Sequence, residues 1–271
     1  MDAVLSRLRV RIPIVREVFA EFLGTFVLLF VGITSVAQAV LSDGKSGTML
    51  SINLSWGIAV AMGIFIAGGV SGAHLNPAVT VALATLGKFS WVKVLPYIIA
   101  QYIGAFIGAA CAYWVYLDAI GKMGMMVPET AGIFATFPKE YLSNGNAFVD
   151  QIMGTGILMM GILAIVDPYN MSVPKYAIPL GVGSLVGVIG MALGHNCGYA
   201  INPARDLSPR LFTLAAGWGK ETFEYQNHYW WIPILGPHLG AIMGGWLYQL
   251  LVGVHWPLLD EEEKSKTETQ F

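Results

Sequence analysis

Six stretches of this chain contain no Asp, Glu, Lys or Arg: 22–42, 46–87, 94–117, 151–166, 176–204 and 225–259. No other feature constrains the fold as much, because a helix crosses about 30 Å of hydrocarbon with about 20 consecutive apolar residues. The composition agrees. Charged residues make up 12% of the 271 positions, against roughly 25% in soluble domains, too few to cover the surface of a soluble sphere of this size. Disorder needs low hydrophobicity, whereas 55% of the residues are hydrophobic. A net charge of −2 argues against the basic stripe of a nucleic-acid binder. Two cysteines, Cys111 and Cys197, make no disulfide framework. What remains is a polytopic membrane protein.

Full spans are expected near 14–40, 50–69, 94–116, 147–166, 177–193 and 231–254. Arg7, Arg9, Arg11 and Arg16 precede the first of them, which sets the N-terminus on the cytoplasmic side. That first apolar stretch is too long for the core of a cleavable signal peptide. Six spans return the C-terminus to the same side. The expected organisation is a cytoplasmic segment 1–13, a first repeat 14–116, an extracellular connection 117–146, a second repeat 147–254 and a cytoplasmic tail 255–271. The acidic end of that tail is expected to be disordered. The two Asn-x-Ser/Thr matches, Asn53 and Asn170, fall in a span and an inner loop and are expected to carry no glycan.

Two stretches do not fit single spans. Residues 46–87 are too many for one crossing and too few for two with a turn, and their middle reads G-G-V-S-G-A-H-L-N-P. Residues 176–204 have the same shape and end in G-H-N-C-G-Y-A-I-N-P. Each is expected to be a full span, an irregular apolar loop and a short helix. Irregular backbone at membrane depth survives only where protein buries it or where it lines a wet cavity. The two halves also match in order. Phe19-Ala20-Glu21 before Gly24-Thr25 pairs with Phe148-Val149-Asp150 before Gly154-Thr155, with one residue of slippage. Gly72–Ala78 pairs with Gly198–Ala204, and Gly104-Ala105-x-x-Gly108 with Gly240-Ala241-x-x-Gly244. Three spans per half make the repeats inverted, which places their functional elements near the midplane.

Asn is a good helix N-cap and Pro is favoured at the first helical position. One Asn-Pro-Ala is no more than a helix start. Two, Asn76-Pro77-Ala78 and Asn202-Pro203-Ala204, at matching places in inverted repeats, set two short helices N-terminus to N-terminus at the bilayer centre. Each N-terminus carries roughly half a positive charge, so cations are repelled where they meet. The Asn amides can donate to a neutral oxygen, and the loop carbonyls can accept. Dipoles of half-helices are a known means of excluding protons and cations from neutral-solute pores.

At these residues the chain resembles the major intrinsic protein family, and within it the aquaglyceroporin branch. The likeness runs from about residue 16 to 254 and rests on S-G-A-H-L-N-P-A-V-T (71–80), G-Y-A-I-N-P-A-R-D-L-S-P-R (198–210) and G-I-F-A-T-F-P (132–138). Asp206, directly after the second Asn-Pro-Ala-Arg, is similar to the glycerol-conducting members. The resemblance implies an all-α membrane protein with six transmembrane helices, two re-entrant half-helices and an inverted 3+3 repeat. It implies a homotetramer in the plasma membrane with one pore per subunit, no cofactor, and passive passage of glycerol, water and other small neutral solutes such as urea. It maps the selectivity filter onto Trp56, Gly190, Tyr199 and Arg205, and the pore-lining carbonyls onto Gly72, Ala73, His74, Leu75, Asn196, Cys197, Gly198 and Tyr199. The residues themselves fit: Arg205 is costly in lipid and belongs beside water, its planar fork can donate to two hydroxyls, Trp56 and Tyr199 offer an apolar corner, and Gly190 leaves room for them.

Glu21 and Asp150 are acids inside spans. Alone they read as a proton relay or as structural acceptors; the resemblance implies the second, each receiving N–H groups from a pore loop. His74 and His195 are too few for a metal site, which needs three or four converging ligands. His74 could tune permeability as it titrates. Cys197, beside the filter, is expected to be the point of mercurial block. The Gly-x-x-x-Gly spacings allow close helix contact, and His238 has no evident role. The alternatives are a secondary transporter, which also uses inverted repeats and broken helices, and a membrane enzyme, for which no nucleophile–base pair or phosphate loop stands out.

Overall fold

The computed structural model describes residues 9–256, so Arg7 and the acidic tail lie outside the described residues. Those residues fold into helices joined by turns and loops. The first repeat holds α1 (Pro13–Leu41), α2 (Met49–Ser71), the short α3 (Pro77–Thr85) and α4 (Trp91–Val115). After a small helix α5 (Leu117–Met123), the second holds α6 (Asn144–Val166), α7 (Ile178–Cys197), the short α8 (Pro203–Thr213), a kinked segment α9 (Glu221–His228) and α10 (Ile232–Leu251). Five of the six long helices are long and apolar enough to cross a membrane. The sixth, α10, has 20 residues, but Pro237, His238 and Gln249 dilute its hydropathy.

The packing follows the inverted repeat. Helix α1 runs against α2 and α4, as α6 runs against α7 and α10, and α2 meets α7 where the halves join. Each half-helix crosses over: α3 packs on α10 of the other half and α8 on α4. The small residues expected at the contacts are there. A Cβ at Gly104 or Gly108 would overlap the carbonyl oxygens of Phe22 and Phe26, and one at Gly240 or Gly244 those of Ile152 and Gly156. The join between halves uses the same device at Gly57 and Gly183, where a Cβ on either would overlap the other's carbonyl oxygen. Close backbone approach replaces the hydrophobic drive that lipid cannot supply. Outward faces carry exposed Leu, Ile, Val, Phe and Met, for example Ile58, Phe65, Leu95, Met153 and Leu180.

Candidate functional site

Helices α2 and α7 end on left-handed glycine caps, Gly72 at φ 84° and Gly198 at φ 73°. Beyond each cap the chain is irregular, with positive φ at Ala73 and Leu75 in one loop and at Tyr199 and Ile201 in the other. Non-glycine residues hold such angles only when their surroundings impose them. In the first loop Glu21, fully buried, imposes them. Its Oε1 accepts from Ser71 Oγ at 2.6 Å and His74 N at 2.9 Å, and its Oε2 from Leu75 N and Gln101 Nε2, both at 2.8 Å. Gln101 Nε2 also reaches Thr80 Oγ1 at 3.0 Å.

The second loop corrects the repeat alignment. Its brace is Gln151, which accepts from Ile201 N at 3.0 Å and donates to Cys197 Sγ at 3.2 Å. Aligning on the Gly-Thr pairs finds it, since Glu21 and Gln151 each lie three residues before Gly24 and Gly154. Asp150 is only half-buried and takes no backbone N–H among the described residues; it accepts from Asn196 Nδ2 at 3.0 Å and Cys197 Sγ at 3.2 Å.

Both half-helices begin as their sequences dictate. Asn76 Oδ1 caps α3 by accepting from Ala78 N at 2.9 Å, and Asn202 Oδ1 caps α8 by accepting from Ala204 N at 3.0 Å and Arg205 N at 3.3 Å. The other end of each amide ties the halves together: Asn76 Nδ2 donates to Ile201 O at 2.9 Å and Asn202 Nδ2 to Leu75 O at 2.8 Å. One N–H of each amide remains, beside the cavity that both residues line.

That cavity has a volume of about 230 Å³. One wall is apolar, with Val60, Ile64, Leu158, Ile162, Val182 and Val186; the other carries the two Asn side chains and the loop residues Gly72, Ala73, His74, Leu75, Ala200 and Ile201. A wider vestibule of about 740 Å³ lies beyond it, bordered by Gly198 and by the connection between the repeats, including Phe137 to Tyr141. Trp56, Tyr199 and Arg205 line both spaces and form the neck between them. Gly190 lines neither; its missing side chain makes room for the Tyr199 ring.

Two of the expected carbonyls are displaced. Asn196 and Cys197 lie in the last turn of α7 and border neither space, and the Asn196 carbonyl is taken by Lys139 N at 3.0 Å. Ala200 and Ile201 line the cavity in their place, as repeat partners of His74 and Leu75, with the Ile201 and Leu75 carbonyls each already accepting one Asn amide N–H across the halves. Cys197 Sγ, held between Asp150 and Gln151, is 1% exposed. His74 turns its Nδ1 to Thr80 Oγ1 at 3.1 Å and packs its ring against Phe89 and Tyr97. His238 satisfies its Nδ1 on Ile234 O at 2.7 Å within α10.

Arg205 is 9% exposed. Its guanidinium lies 4.3 Å from the Trp56 ring centroid, and Nη1 donates to Phe134 O at 2.9 Å. Among the described residues its other side-chain N–H groups have no protein acceptor, so they are left for whatever occupies the neck. The loop that carries Phe134 O is anchored two residues on, at Thr136. Asp206 accepts from Thr136 N at 2.7 Å and binds Arg210 through Nε at 2.9 Å, and Arg210 donates onward to the carbonyls of Thr136 and Thr222. Asp206 and Arg210 are almost wholly buried. Asp206 therefore pins the connecting loop to α8 rather than pairing with Arg205. Trp56 sits over Gly32 of α1, where a Cβ would overlap its six-membered ring. Gly32, Phe134 and Gln151 were not singled out in the sequence, although Phe134 lies inside the 132–138 motif, and Asn53, one helical turn before Trp56, stood out only as an Asn-x-Ser match.

A membrane-embedded channel body with two facing half-helices and a single neck is the class that this geometry defines. The chain belongs to the major intrinsic protein family, whose model matches residues 9–248. It is 46% identical over 268 residues to Aquaporin-9 from Homo sapiens, covering 96% of this chain and 90% of that one, and 45% identical over 260 residues to Aquaporin-10 from Homo sapiens, covering 94% and 86%. It is similar in structure to the aquaglyceroporin from Plasmodium falciparum solved by X-ray, with a TM-score of 0.82, 36% identity, and coverage of 88% of this chain and 97% of that one.

Proposed function

We propose that this protein is a passive channel for glycerol and water, with urea and other small neutral solutes as further cargo, and that it turns back protons and ions. The observation that carries the reading is the two-sided conduit. Glycerol has three carbons and a hydroxyl on each. Its hydroxyl edge fits the free Arg205 N–H groups, the Asn amides and the loop carbonyls, while its carbon edge fits Trp56, Tyr199 and the apolar wall below them. A hydrated ion would lose its shell against that apolar wall, and a cation would also meet the positive ends of α3 and α8. The names of the relatives point the same way.

The rival reading is a secondary transporter, in which one repeat rocks against the other. The halves here are interlocked: each half-helix packs on the opposite repeat and the two Asn side chains cross-tie the loops. That favours a pore that is always formed. A homotetramer in the plasma membrane with both termini in the cytoplasm completes the proposal. Stopped-flow light scattering on proteoliposomes tests it. Fast re-swelling in a glycerol gradient, with a low activation energy, is expected; a high activation energy or saturation would favour the carrier.

A further inference from the structure

We propose that Asn53 determines the specificity of the pore, as a latch that keeps the Tyr199 ring folded into a notch on α7 and so sets the width of the neck. The inference rests on the channel reading and deepens it. Asn53 stands on α2 one turn before Trp56, is 2% exposed, and borders the vestibule. Its Oδ1 accepts the Tyr199 hydroxyl at 2.6 Å. The ring lies across two glycines one turn apart on α7. A Cβ at Gly190 would stand 2.5 Å from Tyr199 Cζ, 2.7 Å from its hydroxyl oxygen and 2.8 Å from Asn53 Oδ1, and one at Gly194 would stand 3.1 Å from Tyr199 Cδ1.

The space that Gly190 leaves is therefore not lumen. The phenol end and its amide partner fill it. The neck is open because the ring is drawn back there, and the hydroxyl makes no other side-chain hydrogen bond among the described residues. Deprived of Asn53 Oδ1, a buried hydroxyl bears a desolvation cost until it finds another acceptor. The nearest supply is water in the neck, on the side of Arg205, so the ring leans into the passage. Narrowing there hinders a polyol more than a water molecule.

The test is a mutant cycle in proteoliposomes, reading the ratio of glycerol to water permeability for wild type, Asn53→Leu, Tyr199→Phe and the double variant. Wild-type glycerol flux and its activation energy decide the channel reading, so its failure is distinct from failure of the latch. The latch predicts a several-fold fall in the ratio for Asn53→Leu, with water permeability retained. It also predicts that adding Asn53→Leu to Tyr199→Phe leaves the ratio where Tyr199→Phe alone puts it, because no hydroxyl remains to be stranded. A fall of equal size in both backgrounds would overturn the proposal, as would an unchanged ratio in Asn53→Leu or an equal loss of both solutes. Should Asn53→Leu fail to elute as a folded protein, Asn53→Ser carries the same cycle, since its shorter side chain cannot reach the phenol.

Discussion

Arg205 keeps a charge at the neck with no carboxylate hydrogen-bonded to its side chain among the described residues: it has Phe134 O and the Trp56 face. The buried ion pair belongs instead to Asp206 and Arg210, one turn apart on α8. Removing one partner of such a pair leaves an uncompensated buried charge, so Asp206→Leu is expected to cost about 3–5 kcal/mol. Thermal unfolding in detergent checks this, and an unchanged midpoint would refute it. Gly32→Val puts carbon where the Trp56 ring lies. The ring must move into the passage, and glycerol permeability in vesicles is expected to fall further than water permeability. At Cys197 the structure reverses the expectation drawn from position alone. A thiol that is 1% exposed and bonded to Asp150 and Gln151 is expected to leave water flux insensitive to mercurials, and a block abolished by Cys197→Ser would show that the reagent reaches it. At this scale the sequence yields residue types with evident chemistry, such as Arg205 and Trp56. It does not reveal their seats, because a seat is made by residues like Gly32 and Asn53 whose own chemistry is bland.

The half-helices have 9 and 11 residues, roughly 14 and 16 Å at 1.5 Å per residue, so each reaches about half-way through the hydrocarbon. Their N-termini face each other with the Asn pair between them. Two positive ends of roughly half a charge each are offset by one carboxylate. Asn76→Asp and Asn202→Asp are therefore each expected to admit a measurable cation leak in vesicles under a Na⁺ or pH gradient. If the leak stays at the wild-type level, the dipole account is wrong. The starts of these elements were plain in the sequence: Asn caps and Pro at the first position. Which group braces each loop was less so. Glu21 was legible as an acid in a span, whereas its partner in the second repeat is an uncharged amide that carries no such flag.

Across the whole molecule the repeats join through glycines at which no Cβ fits. Gly57→Leu is expected to prevent the halves from closing, seen as loss of the monodisperse peak on size exclusion, whereas the same change at Gly145, where a Cβ meets nothing within 4 Å, is expected to be tolerated. The inverted repeat is visible in the sequence, since an odd number of spans per half forces the inversion. The crossing of each half-helix onto the opposite repeat was not visible, because sequence order says nothing about which neighbour a re-entrant segment meets.

Taken alone, the sequence determined the membrane class, the positions of the long helices, the inversion and the two facing helix starts. All of these follow from local rules: apolar length, capping and repeat parity. Only the tertiary structure decided how open the neck is. That depends on contacts between residues far apart in the chain, Asn53 with Tyr199, Trp56 with Gly32, and Arg205 with Phe134. A lumen is the space that packed side chains leave over, so its width is settled by where those side chains are held.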